Sequence, residues 1–169
     1  MDRDLPLDTE PVRLSQREKR SFIFHVLYLL DSFDYEISAP AAVQNVAHGF
    51  DIPVLIEPEF IETIEAIVDS RQRIDESLKP FLTNWRFDRL GVCTKLILRY
   101  AYWELEQKKT KPLVVINEAI ELAKCFAEKD AYRFINGILD EAAKKLGYAA
   151  ELLKATPLEE LQAIHEEDQ

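Results

Sequence analysis

Few side chains in this sequence could carry a reaction. His25, His48 and His165 are scattered, and Cys93 and Cys125 stand far apart with no Cys-x-x-Cys pair. Neither cysteine has a histidine near it in sequence, so the spacings of a zinc site, a thiol nucleophile or a triad are missing. No glycine-rich phosphate loop, His-Glu-x-x-His or Gly-x-Ser-x-Gly motif occurs. Glu104 and Glu106 fall on different faces of a helix, which makes them exposed or interface residues rather than an acid–base pair. Glu118 and Glu121 share a face at i,i+3, but a di-iron site needs Glu-x-x-His from two helices, and no histidine follows. These absences describe a protein that is not an enzyme and needs no metal or cofactor. What remains is cationic: Arg13, Arg17, Lys19 and Arg20 gather around one helix start. Guanidinium groups offer phosphate a planar fork of donors. The same cluster also reads as a solvated basic face.

The elements that must position these groups are helices. Ser15 and Glu18 form a capping box, and Phe22, Ile23, Val26, Leu27 and Leu30 then recur at helical spacing. Ser38 caps a second, short helix with Pro40 in its first turn and Gly49 at its end. Pro58 opens a third with Phe60, Ile64, Ile67 and Val68, extended by Ile74 and Leu78 and broken at Pro80. Trp85 lies in a linker. A fourth helix runs from about Leu90 to Gln107, with a break from Lys108 to Pro112. Ile116, Ala119, Ile120 and Ala123 mark the fifth. Asp130 is placed to cap the sixth, whose inward face is Phe134, Ile135, Ile138, Leu139 and Ala142. Gly137 sits inside that helix at a cost of about 1 kcal/mol against alanine. Close packing of two helices, or the approach of another backbone or a base edge, would account for it. Thr156-Pro157 opens a last helix to about His165. The fold expected is all-α, a helical bundle of about seven helices.

Composition fits a single soluble domain. The chain has 169 residues, 47% hydrophobic and 31% charged, with no apolar run of membrane-spanning length and no signal-peptide pattern. The two isolated cysteines suit a reducing cytoplasm. The net charge of −10 argues against nucleic acid when taken whole. The distribution of that charge argues otherwise. Residues 1–10 carry net −3 and residues 148–169 net −5, leaving 11–147 at −2. Residues 51–76 hold eight acids and two arginines, whereas 86–111 hold seven bases and three acids. A local basic surface can survive on such a chain.

Four stretches carry a resemblance. Asn84-Trp85, ILRYAYWEL (97–105), VINEAIELAK (115–124) behind Pro112, and RFINGILD (133–140) resemble, in order and spacing, the NusB family of transcription antitermination factors. The likeness is specific over 80–147. It is weaker along the first helix, where Arg17, Arg20 and Leu27-Tyr28 carry it, and 36–75 shows only helices at the right places. It implies two packed three-helix halves over residues 13–147; outside it, residues 1–12 read as an acidic extension and 148–169 as an acidic amphipathic C-terminal helix, both additions to the family pattern. It also implies that the chain binds boxA-type single-stranded RNA of ribosomal RNA operons with the ribosomal protein NusE, within the transcription elongation complex, as a monomer or homodimer.

By the same resemblance Arg13, Arg17, Arg20, Asp130, Arg133, Phe134 and Asn136 are the RNA-binding candidates. Phe134 would be a base-stacking surface or a core residue. Asp130 would meet RNA or cap its helix, and Asn136 would read a base edge or satisfy backbone groups beside Gly137. Arg99 and Glu118 are candidates for contact with NusE, or for an ion pair tying two helices. The arginine motif is thinner than the family's: Leu14, Ser15 and Gln16 interrupt it and Ser21 replaces a usual Glu. That motivates an alternative, a divergent protein-interaction module with weak or lost RNA binding. An accessory domain of an RNA methyltransferase is a further reading, which the short chain and missing cofactor loop disfavour.

Overall fold

The computed structural model describes residues 14–52 and 57–153. Six helices make up the body: α1 (Gln16–Ser32), α2 (Ala39–Gly49), α3 (Pro58–Leu78), α4 (Val92–Gln107), α5 (Pro112–Phe126) and α6 (Ala131–Ala143). No strand occurs among the described residues. Helices α1–α3 pack on one another, as do α4–α6, and the two triplets join through α1 against α4 and α5 and through α3 against α4. This is the expected pair of three-helix halves.

The local signals act where the sequence places them. The Ser15 hydroxyl accepts from Glu18 N at 3.2 Å, and the Glu18 carboxylate accepts from Ser15 N at 2.7 Å. Two orphan N–H groups of α1 are thereby satisfied. Ser38 Oγ accepts from Ala41 N at 3.3 Å at the start of α2. α3 ends at Leu78, and Pro80 falls in a 3₁₀ turn, Lys79–Phe81. α4 begins at Val92 with Gly91 as its N-cap, two residues later than the apolar pattern suggested. Val26, Ile64, Leu98, Leu105, Ile135 and Leu139 are fully buried, each contributing roughly 1.5–3 kcal/mol by leaving water.

The C-terminal helix foreseen at 148–169 is described only at its start. Lys144–Tyr148 form a π turn that closes on Gly147 at φ 99°, a conformation open to glycine, and α7 (Ala149–Leu152) is a single turn. The Tyr148 hydroxyl donates to Leu105 O at 2.8 Å and moors this turn to the end of α4. Residues 1–13 and 154–169, with the Thr156-Pro157 helix and Arg13, lie outside the described residues. No described helix is long and apolar enough to cross a membrane.

Ion pairs cross the two halves. Arg99 sits inside, 13% exposed, with both ends of its guanidinium on Asp75 of α3 at 2.7 Å. It also donates to the Tyr35 hydroxyl at 3.3 Å and lies 3.8 Å from Asp31. Burial, and then the hydrogen bond to Asp31, push the Tyr35 phenol up to about 12, so it remains a donor at every physiological pH. The expected pair of Arg99 with Glu118 does not form. α4 turns Arg99 toward α3, while Glu118 of α5 faces α1. Glu104 and Glu106 do part to different faces, Glu104 to Arg20 of α1 and Glu106 to Arg73 of α3.

Candidate nucleic-acid interface

α1 and α5 run parallel. Arg17, in the first turn of α1, meets Glu118 midway along α5, and seven or eight residues on, Phe24 stacks on Phe126 with centroids 5.0 Å apart. Arg17 is the exposed cation of this face, 68% open to solvent. Its Nε and Nη2 donate to Glu118 at 3.2 and 3.0 Å. That hydrogen bond, and the Glu118 charge after it, hold the guanidinium above its ordinary pKa. A pair this exposed adds little to stability and can exchange its carboxylate for a phosphate.

Arg20 is different. Its side chain is 11% exposed and it straddles Glu104, itself 15% exposed, at 3.1 to 3.3 Å. Lys19 lies over the Phe60 ring at 5.7 Å. Of the cations expected to line up on this helix, Arg17 alone is presented openly among those described, and Arg20 ties α1 to α4.

Cations and aromatics continue to the far end of α5. Lys124 stands 5.3 Å over the Tyr132 ring, and Arg133 lies 5.6 Å from the same ring while donating to its hydroxyl at 3.0 Å. Arg133 is exposed. Asp130 occupies the N-cap position of α6 but at φ 64°, and its side chain makes no capping hydrogen bond, contrary to the capping expectation. Asn136 is half-buried. Gly137 is exposed, and a Cβ there would have nothing within 4 Å, so close helix packing does not explain this glycine.

Phe134 is half-buried rather than a core residue. Its ring meets Trp85 edge-on, centroids 5.8 Å apart at 60°. Helical periodicity alone would put Phe134 inside, but it lies in the first turn of α6, at the end of the bundle, where the core gives way to solvent. Beside this pair opens a cavity of about 370 Å³ whose lining includes Arg89, Gly91, Thr94, Glu128, Lys129 and Asp130. Sequence reading missed Arg89, Glu128 and Lys129 and left Trp85 in a linker. An indole among polar linker residues was the available signal.

Gly91 and Glu128 are fitted to each other. The Glu128 carboxylate accepts from the Thr94 hydroxyl at 3.0 Å, and a Cβ on Gly91 would stand 1.6 Å from its other oxygen. Gly91→Ala is expected to turn the carboxylate out and cost about 1 kcal/mol, the value of the lost hydrogen bond. Urea denaturation checks this. The change should add nothing in a Glu128→Ala background.

No group of three His, Cys, Asp or Glu side chains among the described residues is placed to hold a metal ion. The sequence model of the family described as "NusB family" matches residues 17–144. Similar curated proteins include "Transcription antitermination protein NusB" of Staphylococcus carnosus (strain TM300), 37% identical over 127 residues, which are 75% of this chain and 97% of that protein. The protein of the same name from Staphylococcus aureus (strain bovine RF122 / ET3-1) is 33% identical over 132 residues, 78% of this chain and all of that one, 100%. Among solved structures, "T. maritima NusB, P3121, Form 2" superposes with a TM-score of 0.67 at 27% identity, covering 79% of this chain and 93% of that one. A chain in "Crystal Structure of a Plectonemic RNA Supercoil" superposes at 0.66 with 25% identity, covering 83% and 100%.

Proposed function

The chain belongs to the NusB family, and on that basis we propose that it is a cytoplasmic transcription antitermination factor. It holds boxA-type single-stranded RNA of ribosomal RNA operons together with NusE in the elongation complex, and catalyses nothing. The working unit is residues 13–147, with acidic segments on either side. The observation that carries this reading is the alignment of α1 with α5. It sets exposed Arg17 against α5, whose far end bears Lys124 and, across the Tyr132 ring, Arg133, while the Trp85–Phe134 pair opens separately at the start of α6. Single-stranded RNA wants that combination, cations for its phosphates and rings for its unstacked bases. Glu118 takes part by holding Arg17 in place until a phosphate replaces it. Arg99, enclosed by Asp75 and Tyr35, contributes to the NusE surface only by keeping α4 in position.

Filter binding of the full chain to a boxA oligonucleotide and a scrambled control, with and without NusE at two salt concentrations, tests the reading. Selective binding that weakens with salt and tightens with NusE is expected. Arg17→Ala should lower the salt slope by about 0.7, the share of one phosphate on a single strand. The engagement of Arg17 and Arg20 by Glu118 and Glu104 favours a second reading, a protein-interaction module with weak RNA binding. NusE binding with no gain from RNA would decide for it.

A further inference from the structure

We propose that the corner between Trp85 and Phe134 is a pocket for one unstacked base bearing an exocyclic amino group, which the Glu128 carboxylate accepts from. This rests on the RNA reading above and names what the pocket selects. Trp85 is 60% exposed, an indole face left in water beside a cavity of about 370 Å³, within the ~300–1,000 Å³ typical of small-molecule sites. Its ring lies too close to Phe134, 5.8 Å, and too steeply, 60°, for a base to slide between them. A base instead stacks on the indole with Phe134 against its edge.

The charge of the lining points to a base rather than a phosphate. Arg89 and Lys129 balance Glu128 and Asp130, so the pocket is neutral and the backbone of the strand is left to cations outside it. Glu128 sets the preference. Its carboxylate is seated at the first turn of α4, with Thr94 Oγ1 on one oxygen at 3.0 Å and no room for a side chain on Gly91. Held there, it has acceptor capacity to spare. Cytosine, adenine and guanine offer an amino group to such an acceptor, as cytosine N4 does to acidic side chains elsewhere. Uracil presents a carbonyl in that place and is repelled.

The test is fluorescence anisotropy of labelled ten-residue oligocytidine and oligouridine with the full chain. The wild type should favour the cytidine strand. Trp85→Ala should weaken it about tenfold, the lower part of the range for one stacked base, and Trp85→Phe should restore much of the loss. Glu128→Ala should abolish the preference for cytidine while both strands still bind. Melting curves confirm that each variant is folded, which the exposure of Trp85 favours. Unchanged affinity in Trp85→Ala, or an intact preference in Glu128→Ala, overturns the pocket. If Arg17→Ala still lowers affinity in that case, the RNA reading survives it. If neither strand binds the wild type even at low salt, the pocket falls, and the boxA titrations with and without NusE decide the RNA reading separately.

Discussion

Arg99→Ala is expected to cost about 3 kcal/mol, because it strands Asp75 in a site built for a partner. In a domain of this size that is a fall of roughly 10 °C in Tm. Asp75 is 18% exposed and both its oxygens lie 2.7 Å from the guanidinium. Deleting the arginine also removes the donor to the Tyr35 hydroxyl, at the turn where Asp34 and Tyr35 both have positive φ. Chemical denaturation of Arg99→Ala, Asp75→Ala and the double variant gives the coupling between them. Each single loss should be large and the double should cost much less than their sum, because breaking a buried pair leaves one uncompensated charge and removing both leaves none. Single losses below about 1 kcal/mol, the range of exposed pairs, would show that solvent reaches the pair and that α3 and α4 are joined by packing alone. RNA affinity measured on the folded fraction should be unaffected, since Arg99 has no path to the exposed face.

Arg20→Ala is expected to cost about 2 kcal/mol, the low side of breaking a partly enclosed ion pair, and to leave the salt dependence of RNA binding unchanged. The carboxylate left behind, Glu104, is 15% exposed and sits beside Tyr100. Burial, and then that same carboxylate, push the Tyr100 phenol well above its ordinary value. Arg17→Ala should move the salt slope and lower Tm less than Arg20→Ala does, because Arg17 is largely in solvent, although the Glu118 it leaves behind is only 16% exposed. The two arginines are three residues apart on one helix, so parallel melting and salt titrations separate a structural tie from an RNA contact. A lower slope with an unchanged Tm in Arg20→Ala would mean that the Glu104 pair opens when RNA arrives.

The helices were legible in the chain itself. Caps and apolar periodicity act over three or four residues, so Ser15 with Glu18, Ser38, Pro58 and the stripe from Ile135 to Ala142 specify where each helix starts and which way it faces. The family motifs between 84 and 140 carried the pairing of two three-helix halves. Which charge meets which was settled only when the helices came together. Arg99 finds Asp75, 24 positions back, and Glu118 finds Arg17, 101 positions back, since an ion pair is chosen by distance in space and any of several nearby acids satisfies the sequence equally. Packing likewise chose which aromatic rings stay open. Trp85 and Phe134 carry the residue types of core positions, but they stand where the bundle ends, and burial there depends on whether another element lies above them. Nothing in the spacing of either residue encodes that.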